Sequence, residues 1–189
     1  MDLWIQEIIE EKKVLIDKLA AEGYFDEVSK AGNMMADALK SGHKILTAGN
    51  GGSAADAQHF TGEVVGRFLK ERGPLPAITM TVDPTVMTAV ANDYGYDDVI
   101  ARQVDGLGVE GDCVLLISTS GNSENMIRAA KVARERGIKI IGLLGKDGGK
   151  MKEHCDVPLV VTSKMTPRIQ EIHTFSVHLM CQIIEDKNF

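Results

Sequence analysis

His59 and Glu63 stand four residues apart, just behind Gly49, Gly51, Gly52 and Ser53. On a helix, residues i and i+4 face the same way, so an imidazole and a carboxylate at this spacing share one patch. Such a pair can move protons or ligate a metal. Taken alone, it is more often a solvated helix pair. The stretch ahead of it gives context. Lys44-Ile45-Leu46 reads as a short buried strand, Thr47 to Gly52 as a glycine turn, and Ser53 as the N-cap that opens an alanine-rich helix. Glycines let the backbone approach a ligand, and the free N–H groups of the first helical turn make an anion site. The turn has neither the spacing of a dinucleotide fingerprint nor the lysine of a nucleotide phosphate loop.

A second stretch has the same character. Ser118, Thr119, Ser120 and Ser123 place hydroxyls around Gly121 and Asn122, between an apolar run and a helical pattern. Hydroxyls and helix N–H groups can wrap a phosphate without a lysine. Ordinary turn and capping chemistry would also favour these residues. With the first loop beside it, phosphate binding is the stronger reading.

The elements that must position these residues follow from pattern. Two amphipathic helices are expected over about 3–19 and 25–39, then strands at about 44–48, 76–82, 112–118, 139–144 and 157–161. A helix from the glycine loop should run to about Leu69. A short helix should start at Asp83-Pro84 and end near Val90, with a polar break over 91–95. Further helices are expected near 97–104, from Ser123 to about Arg136, and from Pro167 to Glu185. Strands alternating with helices give an α/β domain with a mostly parallel sheet, in which ligands bind beyond the carboxyl ends of the strands. Met34 and Met35 read as core filler, His43 and His154 as solvated, and His173 as either a site or a packing residue.

Composition bounds the rest. The chain has 189 residues, 44% hydrophobic and 25% charged, which suits one domain with a sizeable core. A net charge of −6 argues against binding nucleic acid through a general basic surface. Three widely spaced cysteines, Cys113, Cys155 and Cys181, suggest a reducing compartment. No run has the length of a membrane span, so a cytoplasmic protein is expected.

The stretches Ala48-Gly49-Asn50-Gly51-Gly52-Ser53, Ser118 to Ser123 and Arg168-Ile169-Gln170-Glu171-Ile172-His173 together resemble the sugar-isomerase (SIS) superfamily, and within it the phosphoheptose isomerase family. The resemblance covers essentially the whole chain. It implies a five-stranded parallel sheet in an α/β/α sandwich of flavodoxin-like order, with residues 1–41 as extra helices used in oligomerisation. It implies a homotetramer with sites between subunits, and one zinc ion per subunit at His59, Glu63, Gln170 and His178. It places the phosphosugar at Asn50, Gly51, Gly52, Glu63, Asn92, Asp93, Ser118, Thr119, Ser120, Ser123 and Gln170, to which the reading of the glycine loop adds Ser53. Glu63 and His178 match the base and acid. Pro167 stands where some members carry an aspartate, whose role does not transfer.

The activity so implied is isomerisation of sedoheptulose 7-phosphate to D-glycero-D-manno-heptose 7-phosphate for bacterial surface polysaccharide. A carboxylate can take the carbon-bound proton and an imidazole can serve the oxygens near neutrality. The alternative is a non-catalytic SIS protein that senses a phosphosugar or partners a replication initiator. Such a module does not require all four of His59, Glu63, Gln170 and His178. Gln170 and His178 lie eight residues apart on one expected helix, ~12 Å along its axis. One ion reaches both only at the limit of side-chain length, or with one of them supplied by a neighbouring chain.

Overall fold

The computed structural model describes residues 2–189. The elements run α1 (Leu3–Ala21), α2 (Tyr24–Lys40), β1 (Ile45–Gly49), α3 (Gly52–Val65), β2 (Ala77–Thr79), α4 (Pro84–Tyr94), α5 (Val99–Leu107), β3 (Cys113–Ser118), α6 (Glu124–Glu135), β4 (Lys139–Gly145), β5 (Val157–Val161) and α7 (Thr166–Asn188). Short 3-10 turns occupy Tyr96–Asp98 and Lys150–His154. The strands form one sheet of order β2-β1-β3-β4-β5, with each neighbouring pair parallel. The chain winds outward from β1 to β2 and then returns to place β3 on the other side of β1. The order therefore reverses between β1 and β3, and a crevice opens beyond their carboxyl ends. The glycine loop follows β1 and the serine loop follows β3, so both stand at that crevice.

The sheet is buried on both faces because its strands are apolar at nearly every position. Alternate residues serve opposite layers. Ile45, Cys113, Leu115, Ile117, Ile141 and Leu143 pack under α2, α3 and α7. Leu46, Ala48, Val114, Leu116, Ile140 and Leu144 pack under α5 and α6. A buried hydroxyl cluster fixes α3 to the sheet: Thr61 on the helix lies 3.0 Å from Thr47 Oγ1 and 2.7 Å from Thr79 Oγ1. Thr61 sits between His59 and Glu63 in sequence, so this anchor locates the turn that carries both.

Four sequence expectations change. Helix α3 ends at Val65, short of Leu69, because tertiary partners take over the backbone groups beyond it: Arg72 donates to the carbonyls of Glu63, Val64 and Gly66, and Glu185 accepts from the N–H groups of Phe68, Leu69 and Lys70. Residues 91–94 are the last turn of α4 and not a break; the chain turns at Gly95, whose φ of 93° only glycine adopts without strain. β2 is three residues long, a short edge strand. Helix α3 starts two residues earlier than expected, with Gly51 at the N-cap, so Ser53 lies inside the first turn and does not cap it.

The leading helices divide in role. Helix α2 packs along α7, where Tyr24 Oη and Ser176 Oγ meet at 2.9 Å. Helix α1 buries only Leu15 and Leu19. Leu3, Trp4, Ile9 and Val14 on it are exposed.

Candidate functional site

The two loops share one construction. The N-cap residues of α3 and α6, Gly51 and Ser123, make no side-chain cap bond, whereas α4 is capped by the Asp83 carboxylate, which accepts from Thr85 and Val86. Ser53 and Ala54 N–H donate back to the Asn50 and Gly51 carbonyls, and Met126 N–H to the Ser123 carbonyl and Asn125 Oδ1, so the N–H groups ahead of these, of Gly52, Glu124 and Asn125, are the main-chain donors left for an anion. In the serine loop, Ser118 Oγ accepts from Gly121 N at 3.2 Å and lies 3.0 Å from Ser123 Oγ. Ser120 Oγ accepts from Asn122 N at 3.1 Å. Gly121, at φ 64°, lies against Gly148 so closely that a Cβ would meet its carbonyl. The loop is thus held from behind by the chain after β4, and Met151 N donates to Gly121 O at 2.9 Å.

An amide pair joins the loops. Asn50 Nδ2 donates to Asn125 Oδ1 at 3.0 Å, and Asn125 Nδ2 donates to Asn50 Oδ1 at 2.9 Å. The Tyr96 hydroxyl donates to the same Asn50 Oδ1 at 2.8 Å. Asn125, on the first turn of α6, is buried. Sequence reasoning missed it and Tyr96. The available signal was an amide inside the first turn of a helix, directly ahead of the apolar Met126 and Ile127.

From the glycine loop, α3 and α7 run side by side with residue numbers rising together, and their side chains meet as rungs. Gln170 lies against Gly52, where a Cβ would meet its amide. One turn on, Thr174 Oγ1 donates to Asp56 Oδ1 at 2.8 Å. At the next rung His178 Nε2 is 3.3 Å from His59 Nε2, with the rings edge to face, and His59 Nε2 is 3.1 Å from Glu63 Oε1. The Phe68 ring lies over His178 at 5.7 Å between centroids. Asp56 was not foreseen. Burial raises its carboxyl above the ordinary range, against the Thr174 hydrogen bond and the charge of His59, and its Oδ2 has no hydrogen-bond partner among the described residues.

One chain therefore brings His59, Glu63 and His178 together and leaves Gln170 two rungs away, beside the loop. Asn92 and Asp93 are exposed on the last turn of α4, with Asn92 Nδ2 donating to Asp93 Oδ1 at 2.8 Å. His173 is a packing residue: it is fully buried, bonds Leu144 O at 3.1 Å, and burial pushes its imidazole down to about 4. His43 is half-buried, 3.7 Å from the Asp112 carboxylate, and not freely solvated.

Two imidazoles and a carboxylate suit zinc, and separations of 3.1 and 3.3 Å are near the ~3.4 Å edge of a tetrahedron with ~2.1 Å bonds. Placement is less complete than donor type. Among the described residues no three His, Cys, Asp or Glu side chains surround one position that an ion could take. What the cluster can do unaided is exchange protons, because a carboxylate touches an imidazole that touches a second imidazole.

A profile of the SIS domain matches residues 9–145. A phosphoheptose isomerase of Aliarcobacter butzleri is 55% identical over 162 residues, 86% of each chain. One of Trichlorobacter lovleyi is 47% identical over 189 residues, all of this chain and 96% of its own. The solved structure of a phosphoheptose isomerase from Francisella tularensis superposes with a TM-score of 0.92 at 38% identity, covering 96% of both chains.

Proposed function

The chain belongs to the phosphoheptose isomerase family of SIS-domain proteins, and from that premise we propose that it interconverts sedoheptulose 7-phosphate and D-glycero-D-manno-heptose 7-phosphate. One observation carries the reading: the helix that opens at the glycine loop also carries the proton-transfer cluster, His59 and Glu63, with His178 set against it from α7. From Gly52 to His59 the helix rises ~10 Å. A phosphate at the loops thus leaves a sugar chain room to bring its reacting carbons to the histidines.

Glu63 takes a proton from C1 of the ketose while His178 gives one to O2, forming the enediol. His178 or its partner His59 then takes the O1 proton as C1 becomes the aldehyde, and C2 is protonated from the Glu63 side. Glu63 and His178 each lie within hydrogen-bond reach of His59, so a proton can pass along the cluster between the steps. The loops contribute binding, and their hydroxyl and N–H donors fix the end of the sugar that does not react.

Zinc at His59, Glu63 and His178, one ion per subunit, is proposed on donor type. When bound it would polarise the substrate carbonyl; the proton steps above do not depend on it. Gln170, beside Gly52, would join such a site only from a neighbouring chain. A homotetramer with shared pockets is proposed on the exposed apolar side chains of α1, Leu3, Trp4, Ile9 and Val14. Hybrids test the sharing. Glu63→Gln and His178→Asn subunits, which lose the same cluster, should not complement, whereas either should regain activity with a Gln170→Ala subunit. Failure of that last mixture, with subunit exchange confirmed, would refute a shared pocket.

A cytoplasmic place in surface-polysaccharide synthesis is proposed with the activity; no helix among the described residues is long and apolar enough to cross a membrane. The test of the function is direct. Purified protein incubated with sedoheptulose 7-phosphate should yield an aldose heptose 7-phosphate, followed by NMR. A protein that binds the ketose phosphate and leaves it unchanged would be a sensor, and the enzymatic reading would be wrong.

A further inference from the structure

Arg72 and Glu185 form an ion pair that the proton-transfer steps do not use. Their side chains are only 2% and 1% exposed, and Arg72 Nε donates to Glu185 Oε1 at 2.8 Å. A buried ion pair is weak evidence for stability, since desolvation opposes the attraction. What this pair holds is more telling.

The Arg72 guanidinium donates to the carbonyls of Glu63 at 2.8 Å, Val64 at 3.0 Å, Gly66 at 3.3 Å and Gly73 at 3.0 Å. It closes the C-terminal end of α3 at the residue proposed as the base. Cations favour that end of a helix for its orphan carbonyls and dipole. The Glu185 carboxylate, on α7 two turns beyond His178, accepts from the N–H groups of Phe68, Leu69 and Lys70 at 3.1, 2.8 and 2.8 Å. Phe68, so held, lies over the His178 ring. Burial works to raise the Glu185 carboxyl, but the Leu69 N–H, the Arg72 guanidinium and the N–H groups of Lys70 and Phe68 outweigh it and hold it down to about 2. The clasp is thus charged across the working range.

We propose that Arg72 and Glu185 are positioning residues: together they tie the end of α3 to α7 and seat Phe68 on His178, which sets the base and the acid at their mutual distance. Neither touches the substrate. This rests on the isomerase reading for its kinetic consequence, but the geometry it asserts is that of the free protein.

The test uses Glu185→Gln, which keeps shape and loses the charge, and Phe68→Leu, which leaves the clasp intact and removes the ring. Each is checked for folding by circular dichroism and assayed with sedoheptulose 7-phosphate, and the His178 imidazole C–H resonances are recorded without substrate. Both variants should move the His178 resonances, and both should lower kcat by ~10-fold or more with KM within about twofold, as misplacement of a reacting group does. A merely structural clasp would lower the melting temperature and leave the resonances and kcat of the folded protein alone. Unmoved His178 resonances in folded Glu185→Gln overturn the proposal; should that variant not fold, an unchanged kcat in folded Phe68→Leu overturns it. A wild type with no turnover, beside moved resonances in the variants, would refute the isomerase reading and leave the clasp standing.

Discussion

The two ends of the paired helices α3 and α7 are built from different materials. At the loop end the groups that face the crevice are main-chain N–H, hydroxyl and amide: the open helix starts, Ser118 to Ser123, and the Asn50–Asn125 pair. None of them titrates near neutrality. At the far end stand His59, exposed, and Glu63 and His178, half-buried, in contact through the His59 ring. Binding an anion needs donors fixed in place by turns and packing. Moving protons needs groups that change charge and keep some access to water. On the proposed assignment the two tasks lie apart along one helix, so damage at one end should show in a different kinetic constant from damage at the other.

The largest effects are expected at the titrating end. Glu63→Gln keeps the shape and removes the base, so kcat should fall by ~10²-fold or more, with the fold intact by circular dichroism. His178→Asn should do likewise. Metal content is measured alongside, so that loss of an ion is told apart from loss of the proton carrier. Equal losses in kcat and in substrate affinity would mean that the two ends are not separate. At the loop end, Ser120→Ala with Ser123→Ala should raise KM by ~10-fold with kcat much less changed, the sum of two lost hydrogen bonds at ~0.5–1.5 kcal/mol each. An unchanged KM would remove the phosphate from this loop.

Smaller effects test the frame that holds both ends. His173 is buried as a neutral imidazole, its value pushed from 6.5 down to about 4 by burial. Between those values the unfolded chain binds the proton and the folded one does not. The stability it confers is therefore full above about pH 6.5 and is lost as pH falls through about 4. Denaturant melts should show this slope, and His173→Gln, which cannot charge, should flatten it; an unaltered slope would place the acid sensitivity elsewhere. Glu185 adds a separate loss only as pH falls from 4.5 towards about 2. Smallest of all, Asp83→Ala removes the cap of α4 and should cost about 1 kcal/mol in melts.

The comparison also explains what could be read beforehand. The sheet and both loops were legible because unbroken apolar runs and glycine or serine clusters declare themselves locally. The reversal of strand order was expected from the fold type, and the β1–β3 pairing realises it. Ser53 was misread as a cap because Gly52, a poor helix former, is nevertheless the first helical residue. The separation of Gln170 from His178 followed from helix rise alone, but what each would meet did not. Asn125 could not be ranked above any other polar residue of α6 until Asn50 stood opposite it. The Arg72–Glu185 clasp joins residues 113 apart, and no local pattern marks either. It is also why α3 stops early, an ending that propensity alone puts several residues later.

Isotope exchange tests most directly the claim that the far end moves protons while the loop end holds the phosphate. Sedoheptulose 7-phosphate is incubated in heavy water with wild-type protein and with Glu63→Gln, and deuterium at C1 of the ketose and C2 of the aldose is read by NMR, with binding measured by calorimetry on both. The wild type should form the aldose and introduce deuterium at these carbons, while Glu63→Gln should bind the sugar phosphate with near wild-type affinity and leave its carbon-bound hydrogens in place. Exchange by Glu63→Gln at the wild-type rate would contradict the account.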